Sequence, residues 1–124
     1  VNAAYDPLYA SVMDKRNSSY LARGLVFCKY TGSRGKSGSN DADAEFVAEL
    51  RNILDSDNVS YQISELGKVD AGGGGTIAYI LANYDVKVID AGVGVLNMHA
   101  PYEVTSKVDI YEAYRGYLVF LMKA

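Results

Sequence analysis

Four glycines in a row, Gly72–Gly75, constrain this chain more than any other stretch. Glycine loses more conformational freedom on folding than any other residue. A run of four is therefore costly unless the main chain must take φ > 0 or lie closely against something. The run belongs to the segment from Asp70 to Lys107. There an apolar helix-like stretch succeeds the glycines, then Val86-Lys-Val-Ile-Asp-Ala-Gly92, then Val95-Leu-Asn-Met-His-Ala-Pro101. His99, the only histidine in 124 residues, comes after the second of these apolar runs. Such a loop is where α/β proteins usually place ligand sites. Bare main chain and a single imidazole are the two features around which the chain is organised.

The flanking patterns alternate between strand and helix. Leu25-Val-Phe-Cys-Lys-Tyr30 is rich in strand formers and runs into the Gly/Ser stretch Thr31 to Asn40, read as a loop. Asn40 is placed to cap a helix whose first turn gathers Asp41, Asp43 and Glu45, where the helix dipole favours anions. Phe46, Val47, Leu50, Ile53 and Leu54 recur at helical spacing, and Asp57-Asn58 closes that helix. Val59 to Ser64 alternates and predicts a second strand. Thr76 to Tyr84 predicts a short helix, and Val86 to Ala91 a third strand. Ser106-Lys-Val-Asp109 fits a capping box opening a last helix, whose apolar face is Ile110, Tyr111, Tyr114, Leu118 and Leu121. In residues 1–23, Asp6-Pro7 predicts a turn and residues 14–19 an exposed loop.

Strands alternating with helices predict an α/β fold with a mainly parallel sheet covered by helices, a three-layer α/β/α arrangement. Three strands make a thin sheet, so part of the domain is expected to lie outside this chain. The first residue is Val1 and not Met, and nothing there reads as a secretory leader. A processed or excised segment is therefore expected.

Charge and cysteine usage narrow the partners. The 12 basic and 15 acidic residues give a net charge of −3, which argues against nucleic acid, although Arg34 and Lys36 form a local basic pair. No apolar run approaches the ~20 residues that would span a bilayer, so no membrane partner is expected. The single cysteine, Cys28, sits in an apolar run and is expected to be a buried, inert thiol of a reducing cytoplasm.

Two chemistries compete for the polar residues. Arg34-Gly35-Lys36-Ser37 lies between a strand and a helix, and Val86 to Asp90 has the form of an apolar strand ending in a magnesium-binding aspartate. A nucleotide site would use them to hold phosphates and metal. The spacing fails: Tyr30 stands where the first glycine is needed, and Gly38, Ser39 and Asn40 intervene before the helix. In a metallohydrolase, His99 would be a ligand, but one histidine does not make a zinc site.

A resemblance takes the second reading further. The turn ending Thr76-Ile77, the run Ile89-Asp-Ala-Gly92, the stretch Leu96-Asn-Met-His-Ala100, and Glu103 with Ser106-Lys107 ahead of the last helix resemble the C-terminal part of one family. That family is the aspartyl aminopeptidase and vacuolar aminopeptidase I group of zinc metalloaminopeptidases. Val1 to Pro7 also resembles the segment that comes after a zinc-binding aspartate there. The resemblance covers essentially the whole chain and is closest over residues 70–118.

The resemblance implies a partial zinc-exopeptidase-like domain, residues 1–124 forming the C-terminal portion of the catalytic domain of a cytoplasmic aminopeptidase. Two zinc ions would be held by two histidines and several carboxylates, with a glutamate as general base, and His99 matches the C-terminal histidine ligand. No catalytic residue falls within this chain. Lys29 lies near the position of a substrate-contacting lysine, and a surface lysine is the alternative. Gly73, Gly74 and Gly75 could present N–H groups to substrate, and a tight strand-to-helix turn is the alternative. Asp6 and Asp70 read as turn or cap residues, and Asp90 as a candidate for orienting a loop. The remaining ligands lie upstream in the family, so the chain is expected to be inactive alone. Its implied partners are a peptide substrate, the rest of the catalytic domain and further copies of itself. The competing classes are a small nucleotide- or anion-binding module using Lys36 and the glycines, and an assembly piece without chemistry.

Overall fold

The computed structural model describes residues 1–33, 37–68 and 70–124. Its strands are β1 (Asn2–Ala3), β2 (Leu25–Ser33), β3 (Ser37–Asp41), β4 (Tyr61–Glu65), β5 (Asp90–Gly92), β6 (Gly94–Leu96) and β7 (Val104–Thr105). Its helices are α1 (Ala44–Ser56), α2 (Ala78–Ala82) and α3 (Lys107–Lys123), and a 3-10 turn spans Pro7–Val12.

β2 is the hub. It pairs in parallel with β4 along one edge, Leu25 opposite Tyr61 and Phe27 opposite Ile63. Its other edge is shared by β5, antiparallel at Val26–Cys28, and β3, antiparallel from Tyr30 onward. A second small sheet has the order β1-β6-β7, with β1 parallel and β7 antiparallel to β6. The α/β class stands. Both sheets are mixed, however, where strand-helix alternation implied mainly parallel pairing, because β3 and β5 pair antiparallel with β2, and β7 with β6.

Alternation along β2 sends Leu25 and Phe27 to one face and Val26 and Cys28 to the other. On the first face Leu25 and Phe27 join Leu50 and Leu54 of α1, Val59, and Ala113 of α3 in the core. Both long helices therefore lie on one side of the sheet. On the other face Asn2 Nδ2 donates to Cys28 Sγ, and Ser19 Oγ donates to Asn2 Oδ1 at 2.6 Å.

α1 obeys its 3.6-residue apolar period. Its cap is Asp43, whose Oδ1 accepts from Phe46 N at 2.8 Å. Asn40, expected as the cap, is instead buried in β3 with Nδ2 donating to the Val88 carbonyl at 3.2 Å. The expected loop at 31–40 is largely strand on both sides of residues 34–36, which lie outside the described residues. β4 begins at Tyr61, two residues beyond the predicted start. The predicted helix over 76–84 is regular only over Ala78–Ala82. Only Asp90–Gly92 of the third predicted strand pairs, so 86–89 is not a strand.

The predicted face of α3 is reversed. Tyr111, Tyr114 and Leu121 are 60%, 61% and 79% exposed, and Ile110 and Leu118 are exposed too. The inward side carries buried Asp109, Glu112, Ala113 and Gly116, with Val119 and Phe120 half-buried against the core further along. It packs close because Gly116 has no side chain: a Cβ there would sit 2.7 Å from Leu25 Cδ2. The carboxylates capture main-chain amides. Asp109 Oδ2 and Oδ1 accept from Ala22 N and Gly24 N at 2.8 and 2.7 Å, and Glu112 Oε2 accepts from Ser60 N at 2.7 Å. α3 thus holds the loops entering β2 and β4. Asp109 does this in place of the capping-box role, and Ser106 makes no side-chain cap.

Candidate metal and substrate cleft

β1 and β6 run side by side, and the loops beyond them enclose a cleft of about 620 Å³. One wall comes from the N-terminal segment and the 3-10 turn, a second from Leu66-Gly67 and Gly73–Thr76, and a third from Asn97–Ala100. Gly73, Gly74, Gly75 and His99 all line it. The structure therefore brings together the two features that organise the sequence.

His99 is delivered by the β6–β7 hairpin, whose register sets Leu96 opposite Val104 and Val95 opposite Thr105. Within it Asn97 and His99 have φ of +57° and +69°, and Ala100 N donates to the Asn97 carbonyl at 2.9 Å. Left-handed backbone at a residue other than glycine costs about 1–3 kcal/mol, and such costs gather at functional sites. His99 N donates to Glu103 Oε1 at 2.6 Å, and the His99 residue is exposed.

The four glycines divide by their surroundings. A Cβ on Gly72 would lie 2.2 Å from the Val12 carbonyl oxygen, and one on Gly73 2.3 Å from that of Leu66, with Gly73 at φ +84°. Both are bare because main chain passes against main chain. Gly74 and Gly75 have room, their nearest neighbours at 3.7 and 3.5 Å being in ordinary contact distance. Packing within this chain does not require glycine at those two positions. Thr76 Oγ1 donates to Asp90 Oδ2 at 2.7 Å and accepts from Ala78 N at 3.2 Å, tying the glycine loop to β5. Asp90 thus holds that loop.

Of the other expected residues, only Asp6 also lines the cleft. Lys29 is ion-paired with Asp41 across β2 and β3 and is not among the cleft-lining residues. Asp6 caps the 3-10 turn, its Oδ1 accepting from Leu8 N at 2.9 Å, and Asp70 sits in a turn at φ +64°. Cys28 is buried, and that burial raises its thiol pKa, so it stays protonated and inert. The phosphate-loop reading meets a second obstacle: Ser37 opens a strand and α1 starts only at Ala44, so the helix does not begin at Gly-Lys-Ser as that motif requires. Lys36 itself lies outside the described residues. Two roles are invisible in the sequence pattern. Glu103 matches the family by resemblance without a role, and the Asp109 clamp is hidden inside a capping-box pattern.

The donor set bears on zinc directly. Among the described residues no group of three or more His, Cys, Asp or Glu side chains could hold a metal ion. His99, exposed on a constrained turn at the cleft, fits as one arm of a site whose other arms this chain does not carry.

An α/β fold bearing part of a ligand cleft on its loops finds its counterparts among metal-dependent peptidases. A profile of the aminopeptidase I zinc metalloprotease (M18) family matches residues 1–121, and the chain belongs to that family. It is 65% identical over 121 residues to a probable M18 family aminopeptidase 1 of Clostridium acetobutylicum, covering 98% of this chain and 26% of the relative. A relative of the same name from Thermotoga maritima is 47% identical over 123 residues, covering 99% and 27%. The crystal structure of aminopeptidase I from Clostridium acetobutylicum superposes with a TM-score of 0.89 over 97% of this chain and 26% of its own, again at 65% identity. That of the Thermotoga maritima M18 aminopeptidase gives 0.90 over 98% and 27%, at 47% identity. The chain thus spans about a quarter of the length of these relatives. Among the described residues no helix is long and apolar enough to cross a membrane.

Proposed function

We propose that this chain is the C-terminal portion of the catalytic domain of a zinc-dependent aminopeptidase that removes N-terminal residues from peptides. It supplies one zinc ligand, His99, and part of the substrate wall, Gly73–Gly75. The observation that carries this is the shared cleft: His99, exposed on a left-handed turn, and the side-chain-free main chain of Gly73–Gly75 line the same space. Gly74 and Gly75 support the substrate role best, since a Cβ on either meets only ordinary contacts among the described residues. When bound, zinc supplies polarisation of the scissile carbonyl and activation of the attacking water. The chain's own part is to hold the imidazole at the cleft and leave room there for a peptide main chain. Lys29 receives no role.

The proposal includes two zinc ions, the remaining ligands from the rest of the polypeptide, a cytoplasmic setting and an assembly of several copies. One lone, buried thiol accords with the setting, and the exposed apolar side of α3 accords with burial against further protein. The 124-residue chain alone hydrolyses no peptide. In the full-length protein, His99→Ala lowers zinc content and aminopeptidase activity together, the latter by roughly 100-fold or more, as expected for a lost ligand. Full zinc content and full activity in that variant would remove the assignment.

A further inference from the structure

We propose that Glu103 is a positioning residue for the candidate zinc ligand: its carboxylate holds the His99 main chain in the left-handed conformation that brings the imidazole to the cleft. The inference rests on His99 being a zinc ligand and adds to it a residue four positions further along the chain.

Three ties close the 97–103 loop. The turn is shut by the bond from Ala100 N to the Asn97 carbonyl. β7 is fixed to β6 by its register and by Thr105 Oγ1 donating to the Gly94 carbonyl at 2.7 Å, so Glu103, immediately before Val104, starts from a fixed point. The third tie is His99 N donating to Glu103 Oε1 at 2.6 Å. The first tie spans His99 as a central residue of the turn, and only the third bonds an atom of His99 itself. Both residues are exposed, so water can satisfy the His99 amide when the carboxylate is removed. On this proposal the bond serves the φ of +69° at His99 and not the global fold. Without it the residue relaxes toward the ordinary right-handed or extended regions, and the ring leaves its place. Groups that orient a metal ligand characteristically set affinity rather than fold, and removing one costs roughly 10–100-fold in metal binding.

The test uses the full-length protein, stripped of metal and titrated with zinc against a chromophoric chelator, with kcat and KM measured on the reloaded enzyme. Glu103→Gln keeps an acceptor oxygen at the same reach and is expected to hold zinc within about 3-fold of the parent. Glu103→Ala, and Glu103→Asp with its shorter arm, are expected to lose about 10–100-fold. The melting temperature of the metal-free protein should not change. Parental zinc affinity in the Ala and Asp variants would overturn the proposal. So would a Gln variant as weak as Asp, since charge and not the acceptor would then matter. Should the Ala variant fail to fold, the Gln and Asp pair decides by the same criterion. His99→Ala is the control: if it leaves zinc affinity intact, the ligand reading falls, and if it alone lowers affinity, only the role of Glu103 falls.

Discussion

Asp109 is fully buried, and the structure meets its charge with amides. Both carboxylate oxygens accept main-chain N–H bonds, from Ala22 and Gly24, which themselves hold φ of +62° and +92°. The first turn of α3 adds the favourable end of the helix dipole. The pattern Ser106-x-x-Asp109 is compatible with a cap and with this clamp, and only the position of the 22–24 loop decides between them. Asp109→Ala leaves the buried Gly24 amide unpaired, at about 1–3 kcal/mol for an unsatisfied buried group, while the amide of exposed Ala22 can turn to water. Asp109→Asn keeps one acceptor but turns an NH₂ toward the other donor. We expect a loss of about 3 kcal/mol for Ala and a smaller loss for Asn in chemical denaturation. A change below about 0.5 kcal/mol, typical of ordinary surface positions, would show that the clamp is dispensable.

Among the elements, the glycine loop separates structural from functional demand within one run of identical residues. Gly73→Ala must resolve a 2.3 Å approach to the Leu66 carbonyl oxygen and a left-handed φ, so it should destabilise the loop and lower the unfolding midpoint. Gly75→Ala meets nothing nearer than 3.5 Å and should fold with a stability change within about 0.5 kcal/mol. In the full-length enzyme Gly75→Ala should nevertheless raise KM several-fold, because the added methyl enters the space assigned to substrate. Equal KM in the Gly75→Ala variant and the parent would take that residue out of the substrate wall. Legibility in the sequence divides along the same line. β2 and α1 are readable because local composition and the 3.6-residue period agree with their burial. Asn40 and Asp43 offer two nearby cap candidates, and the choice depends on whether residues 37–41 pair with β2, a non-local fact. Val86–Ile89 is β-branched enough to read as strand, yet among the described residues it joins no ladder, and β3 reaches it through the Asn40 side chain. For the site, pattern and resemblance together identify His99 and the glycines as neighbours, while the hydrogen bonds of Glu103 and Thr76, set by three-dimensional register, are not legible.

For the molecule as a whole, the reversed polarity of α3 has a consequence in solution. The inward side of its first half is carboxylate and small residues fastened to loops, with Val119 and Phe120 against the core beyond them, and its outward side carries Tyr111, Tyr114, Leu118 and Leu121, all exposed. A cavity of about 270 Å³ beside it, lined by Phe46, Leu50, Val88, Ile89 and Phe120, remains open between α1, α3 and the segment before β5. Contiguous apolar surface of this kind is rarely left bare on a soluble monomer. Hydrophobic periodicity locates the stripe correctly, but the assumption that an apolar stripe faces its own core assigns it the wrong side. In a chain covering about a quarter of its relatives' length, that surface has no partner within the described residues. The isolated 124-residue chain should therefore self-associate as concentration rises, seen by sedimentation velocity or light scattering. Replacing Leu118 and Leu121 with lysine should shift it toward monomer without loss of helix signal, since lysine matches leucine closely in helix propensity and both positions are already exposed. A parent chain that stays monomeric at high concentration would show that the stripe is too small or too well solvated to drive association. If the lysine variant instead loses its circular dichroism, α3 depends on those leucines for its own packing, and the reversed face would have to be reconsidered.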